Sequence, residues 1–220
     1  MLTKILKGSR QQKSRLHDHK GNLVPTGRLI ANAPRAFVSG LFRVLLGHRP
    51  RLPWISYSAT LEIAAFLSNE KRVLEYGSGM STLWYAKHAG QVVSVENFRP
   101  WYDQVRSALE KDGINNVEYH LAESIEEYTR VPCEGGFDLV MVDGSFRDRC
   151  TAAALATLRP GGIFYLDNSD RMALPGSDEA AAAELALKYA KDHNCTVTYF
   201  TDFAPTQFFA QEGMMVRRPA

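Results

Sequence analysis

Cysteine is scarce in this chain of 220 residues, and the three present, Cys133, Cys150 and Cys195, sit in no metal-ligand spacing. One would be left over in any disulfide scheme, so all three are expected to be reduced thiols in a cytoplasmic protein. Long apolar runs are missing too. No stretch approaches the roughly 20 apolar residues that a membrane span requires, and residues 1–13 lack the apolar centre of a secretory signal. Internal repeats are absent. No nucleic-acid-binding motif or interleaved basic and aromatic stripe is present, which argues against nucleic acid as a partner. A hydrophobic fraction of 45% remains, enough for one sizeable core of a soluble protein.

Acidic residues are nearly absent from the first fifty positions. That segment carries ten Lys or Arg against the single Asp18, while residues 51–220 carry sixteen bases and twenty-three acids. Residues 1–50 are therefore read as a basic N-terminal extension or cap, and residues 51–220 as the main domain. Before Pro34, the breakers Gly21, Pro25 and Gly27 and the lack of a sustained period predict little order. From there to Leu46, Phe37, Leu41, Val44 and Leu45 recur at helical spacing among Arg35 and Arg43. Such a basic amphipathic helix packs on the main domain, caps an active site, or meets an anionic membrane surface through residues 34–47.

Pro50 and Pro53 then interrupt the chain and precede Trp54 and Tyr57, which serve either in packing or as walls of a substrate pocket. A helix is expected over residues 59–67. Beyond Lys71, apolar strand candidates at 73–76, 92–95, 117–120, 139–142 and 163–166 alternate with helical patterns at 81–89, 99–111, 124–129 and 147–158. Right-handed crossovers of that length predict an α/β fold: a mostly parallel, doubly wound sheet with helices on both faces. An alanine-rich helix over 177–193 and strands near 196–200 and 207–210, continued at 214–217, complete it.

Chemistry in such a sheet gathers at the carboxyl ends of the strands, and the polar residues of this chain gather there as well. Glu75 and the turn Gly77, Ser78, Gly79 end the first strand, and Glu96 and Asn97 the second. Ala122, Glu123 and Ser124 follow the third; Asp143 and Gly144 end the fourth, Asp167 and Asn168 the fifth. The glycines permit a sharp turn and close approach of a ligand to the main chain, and the following helix aims its free N–H groups at the same place. A carboxylate such as Glu96 accepts from both hydroxyls of a ribose. Glu75 supplies negative charge for an ammonium or sulfonium group, directly or through water. The glycine loop has no Lys, which argues against a nucleoside triphosphate.

These residues resemble the class I S-adenosylmethionine-dependent methyltransferases, over roughly residues 73–168. The marks are Glu-Tyr-Gly-Ser-Gly at 75–79, Glu96 after strand two, the run from Phe137 to Gly144, and Leu-Arg-Pro-Gly-Gly at 158–162. The resemblance implies a Rossmann-like seven-stranded fold in which residues 77–81 hold the methionine portion of the cofactor, Glu96 and Asn97 its ribose, and residues 122–124 border its adenine. Ser81 stands where the family has a third glycine, so that contact becomes a hydroxyl. Asp143, Asp167 and Asn168 further resemble the divalent-cation trio of the catechol and caffeoyl-coenzyme A type O-methyltransferases, which implies Mg²⁺; the bare alternative is that these are turn formers. Arg147 stands near the position of that type's Lys and, being always protonated, serves as an anion-binding substrate contact rather than a base. The expected reaction is methylation of a small-molecule acceptor, with Asp143, Asp167 or Asp170 as proton acceptor. Three rivals stay open: an NAD-linked oxidoreductase, an aminopropyltransferase, and a silent cofactor-binding or membrane-associated adaptor.

Overall fold

A computed structural model describes residues 12–130, 135–174 and 176–220, so that Cys133 lies outside the described residues. Helix α1 (Thr26–Leu46) and helix α2 (Tyr57–Phe66) precede an alternating series: β1 (Arg72–Tyr76), α3 (Met80–His88), β2 (Gln91–Glu96), α4 (Arg99–Lys111), β3 (Val117–Leu121), α5 (Ile125–Thr129), β4 (Phe137–Val142), α6 (Arg147–Thr157) and β5 (Leu158–Leu166). A 3₁₀ turn (Ser169–Ala173), α7 (Asp178–Asp192) and the hairpin β6 (Thr196–Ala204) and β7 (Gln207–Arg217) follow. The seven strands form one sheet in the order β3-β2-β1-β4-β5-β7-β6. The first five run parallel, and β7 lies antiparallel between β5 and β6. This is the Rossmann-like methyltransferase fold.

Side chains alternate across the pleat, so each strand feeds two cores. Leu74, Tyr76, Val93, Val140, Val142, Phe164 and Leu166 face α6 and α7 through Cys150, Ala154, Ala183 and Ala186. Val73, Val92, Leu139, Met141, Ile163 and Tyr165 face α2 and α3 through Ala59, Ile63, Trp84 and Tyr85. Burial on both faces is why these strands read as unbroken apolar runs.

Two expectations need correction at the ends of the chain. Helix α1 starts at Thr26, eight residues before the expected start, with Pro34 inside it. Pro34 lies on the exposed side of the helix, where water serves the carbonyl that the missing N–H leaves unpaired. The inward side is fixed by buried Asn32, whose Nδ2 donates to Asp202 at 2.9 Å, and by buried Ala36. Ahead of it, residues 12–24 are tied to β7 by Gln12 Nε2 and Ala210 O (3.0 Å), Ala210 N and Arg15 O (2.7 Å), and Lys20 Nζ and Glu212 (2.6 Å). At the other end, 207–210 and 214–217 are one strand. Gly213 joins them because the Tyr165 hydroxyl fills the place of its Cβ. A third correction concerns apolar runs: by length and composition, α1 is apolar enough to cross a membrane, although polar residues interrupt it.

Candidate functional site

The sheet order reverses between β1 and β4, and there the crossover helices diverge. A crevice of about 250 Å³ opens at that point, lined by Trp54, Gly77, Ser78, Gly79, Met80, Ser81, Glu96, Asn97, Trp101, Tyr128, Asp143, Gly144 and Ser145. Its floor is a crossing of two backbones. Gly77 has φ +94°, and a Cβ there would lie 2.6 Å from the Cα and N of Gly144. Gly144 in turn has the Tyr128 hydroxyl where its own Cβ would go. The turn of β1 and the turn of β4 therefore touch main chain to main chain, with Tyr128 beneath them.

Glu75 is not in the crevice lining. It lies under the glycine turn, 2% exposed, with three hydroxyls donating to it: Ser81 Oγ at 2.5 Å, Thr82 Oγ1 at 2.6 Å and Ser94 Oγ at 2.6 Å. Ser94 is its register partner on β2. Thr82 Oγ1 also accepts from Gly79 N at 3.0 Å, so Glu75 holds both the turn and the first turn of α3. Glu75 thus acts on the crevice from beneath the turn, not from its lining, and Ser81, which does line the crevice, donates its hydroxyl to that carboxylate. Burial pushes the Glu75 carboxyl up to about 7, against the hydroxyl donors. The folded protein thus binds a proton that the unfolded chain releases near pH 4.5, so stability should fall as pH rises from about 4.5 to 7 and level off above. The contribution is about 3 kcal/mol. Asp143 and Asp167 are shifted the same way, so the check is a difference: urea midpoints at pH 5 and pH 8 should differ less in Glu75→Gln than in the wild type.

Glu96, 6% exposed, closes the far wall. Its Oε1 accepts from the N–H of Asn97 and of Phe98 at 2.9 Å each, and its Oε2 from Ser78 Oγ at 2.9 Å. This fixes the carboxylate at the crevice edge. Trp101 stands beside it with Nε1 donating to Ser78 O at 2.7 Å. Of the residues expected beside an adenine, Ala122 is buried with its N–H on Glu96 O (2.8 Å), Ser124 caps α5 by accepting from Glu127 N (3.1 Å), and Glu123 is exposed beside Arg99. All three adjoin the crevice through β3 and none is in its lining.

Asp143, Asp167 and Asn168 do converge, and what they converge on is Arg147. Its guanidinium, 7% exposed, donates to Asp143 Oδ1 at 3.2 Å, Asn168 Oδ1 at 3.3 Å, Gly144 O at 3.1 Å and the Asp167 carbonyl. A fixed positive charge stands against the side chains of Asp143 and Asn168 and the main-chain carbonyl of Asp167, so the residues present do not fit Mg²⁺. The expected role of Arg147 toward an anionic substrate is corrected for the same reason: all three of its nitrogens are engaged inside the protein. Burial and the neighbouring Asp143 drive Asp167 well above the usual carboxylate range, while burial raises Asp143 and Arg147 opposes the rise. Asp167 Oδ1 is buried without a partner, which a neutral acid tolerates better than a carboxylate. Both carboxyls are thus raised as a pair, and Asp143 is the one whose side chain reaches the crevice.

Asp170 is corrected as a proton acceptor. It is fully buried, with His19 N and Nδ1 on Oδ2 at 3.0 and 2.7 Å and Glu212 N on Oδ1 at 3.3 Å, and so pins the N-terminal segment to β7. Tyr57 is corrected as a pocket wall. It packs with Val24, Ala36, Phe203 and Ala210 under the Arg35 guanidinium, whereas Trp54 does line the crevice. Sequence reading missed Ser94, Thr82, Trp101 and Tyr128. A serine inside the apolar run of β2 was the one available signal, since a buried hydroxyl in a central strand needs a partner. Cys150 is also buried, its thiol pushed up to about 12 by burial, and is inert.

A family model described as a methyltransferase domain matches residues 74–169. Protein-L-isoaspartate O-methyltransferases are similar to this chain: that of Nitrobacter winogradskyi is 34% identical over 100 residues, 44% of each chain, and that of a Bradyrhizobium species 29% over 137 residues, 61% of each. The chain thus spans about half the length of these curated relatives. The O-methyltransferase TomG from Streptomyces achromogenes, solved in complex with SAM, shares the fold with a TM-score of 0.59 at 20% identity, over 85% of this chain and 98% of its own. The O-methyltransferase from Bacillus cereus in complex with SAH gives 0.60 at 18% identity, over 86% and 90%. The glycine crossing, Glu96 and Asp143 all fall within residues 74–169, the stretch that matches the methyltransferase-domain model.

Proposed function

We propose that the protein transfers the methyl group of S-adenosylmethionine to an oxygen of a small-molecule acceptor. The observation that carries this is the charge of the crevice: Glu96 and Asp143 are in its wall, which has no Lys or Arg among the described residues. That lining suits a cationic sulfonium ligand and repels phosphates, which weighs against a nicotinamide dinucleotide. The residues fit the cofactor. The open main chain at Gly79, where a Cβ would come no closer than 3.4 Å to any neighbour, leaves room for the methionine portion. The N–H groups that open α3 suit its carboxylate, and Glu96 with Trp101 suits ribose and base. When bound, the cofactor supplies an activated methyl group.

What the chain itself contributes is alignment and a place for a proton. The rigid crossing of Gly77 and Gly144 fixes the reacting partners. Asp143, 36% exposed at its side chain and held by Arg147, accepts the proton of an acceptor hydroxyl. An acceptor that is itself a carboxylate, as an isoaspartyl peptide is, would meet two acids in the crevice wall, and the nearest cation outside it is Arg49 over the Trp101 ring at 4.8 Å, so a neutral hydroxyl compound fits better. Residues 34–47 and the localisation of the protein bear on the partner rather than on this step.

Calorimetry tests the reading. The wild type should bind S-adenosylmethionine and S-adenosylhomocysteine. Glu96→Ala should bind both about 10- to 100-fold more weakly, the value of one or two hydrogen bonds to a charged group. No binding to the wild type at millimolar ligand sinks the assignment; methylation of an isoaspartyl peptide in preference to phenols and alcohols would move the acceptor to proteins.

A further inference from the structure

Helix α1 is amphipathic the wrong way round. Its inward side carries Asn32, Ala36, Ser39 and Arg43, which meet β6 and the β6–β7 turn through Asp202, the N–H of Thr206 (to Ser39 Oγ, 2.9 Å) and Thr206 Oγ1 (3.4 Å from Arg43). Its outward side is apolar: Ile30 is 72% exposed, Val44 82%, Leu45 68% and Leu46 72%, with Phe37, Val38, Leu41 and Phe42 each near one half. A row of this length lies far beyond the scattered apolar residues of an ordinary surface. Between α1 and the β6–β7 turn runs a groove of about 740 Å³, walled by Phe37, Leu41, Val44 and Phe208, with Arg15, Arg43 and Arg171 on its rim. Arg15 donates to Phe208 O at 3.2 Å and Arg43 lies over the Trp54 ring at 4.9 Å, and neither pairs with a carboxylate among the described residues.

We infer that this face is a docking surface for an anionic lipid bilayer, with α1 lying in the plane of the interface, acyl chains against its outer face and groove, and lipid phosphates at Arg15 and Arg43. Charge complementarity selects this occupant over a second copy of the chain. The helix contains no acidic residue, and the first fifty residues carry ten bases against Asp18. Two copies meeting face to face would oppose like charges, whereas an anionic bilayer neutralises them and buries the apolar side together. The helix is held to β6 and β7 by its polar side, so an orientation parallel to the surface keeps those contacts intact. The inference does not depend on the methyl-transfer reading.

Flotation of the full chain with vesicles decides it. The protein should float with phosphatidylcholine vesicles containing phosphatidylglycerol, and much less with phosphatidylcholine alone or in high salt. A Val44→Glu/Leu45→Glu variant, altered only at exposed positions, should keep its circular dichroism and melting temperature yet lose lipid partitioning on the order of tenfold or more. Arg43→Gln should weaken binding to the anionic vesicles selectively. Equal flotation of wild type and the glutamate variant, no flotation at all, or a dimer in sedimentation that the glutamate variant disperses would each overturn the inference.

Discussion

Replacing Arg147 by alanine should destabilise the protein by about 3–5 kcal/mol and, at the same time, make its melting temperature respond to Mg²⁺. The first effect follows from burial. Arg147 is 7% exposed and is the cation beside Asp143, with Glu179 4.0 Å away and Asp167 behind. Removing it leaves carboxyl groups that share one low-dielectric space without compensation. The second effect follows from what remains: Asp143, Asp167 and Asn168 would then surround a vacated space with oxygen donors alone, a set suited to a hard divalent ion that keeps several waters. The wild type should melt at the same temperature in millimolar Mg²⁺ and in chelator, and Arg147→Ala should gain several degrees in the metal. Arg147→Met separates charge from volume: it removes the charge but fills the space, so it should pack better than Arg147→Ala and gain less from the metal. A wild type stabilised by Mg²⁺ to the same extent as the variant would show that the guanidinium does not hold the ion's place.

That outcome also locates where sequence reading stopped short. The trio of side chains was legible, because strand-end position and residue type are both written in the order of the chain. The residue filling their centre was legible as an arginine but not as an internal one, since Arg147 opens α6 and its direction depends on Phe146, which has φ 53° at the preceding position. A left-handed residue that is not glycine leaves no mark in a sequence pattern. The central strands were legible because burial on both faces makes them unbroken apolar runs; the first turns of α4 and α6 were placed at Arg99 and Arg147, where they occur. Helix α1 packs on the main domain as one expectation had it, but its start at Thr26 was missed, and periodicity does not show which side faces in; here the inward side is polar, held by Asn32 and Asp202. Glu75 was placed at the right strand end, but its three hydroxyl partners come from α3 and from β2, across a register that only the folded sheet supplies.

A glycine series should separate backbone strain, steric crossing and ligand approach, and its largest member is Gly77→Ala. That substitution places a Cβ 2.6 Å from the main chain of Gly144 at a residue with φ +94°. Positive φ costs roughly 1–2 kcal/mol for a residue with a Cβ, and forcing two backbones apart adds roughly 1–3 kcal/mol, so a loss of about 3–4 kcal/mol is expected. Since Gly144 cannot retreat without displacing Tyr128, the crevice floor opens and S-adenosylhomocysteine affinity should fall about 100-fold or more. Gly113→Ala isolates the first term: φ is +64° there and nothing lies within 4 Å, so it should cost only the roughly 1–2 kcal/mol of strain and leave binding alone. Gly79→Ala isolates the third. Its φ is −178°, a conformation open to any residue, and its nearest neighbour would be Ser81 Oγ at 3.4 Å, so stability should hold while the added methyl group, standing in the crevice, weakens binding. Gly77→Ala melting no lower than Gly113→Ala would mean that β1 and β4 do not cross in contact, and the rigid floor on which alignment of the methyl group depends would be absent.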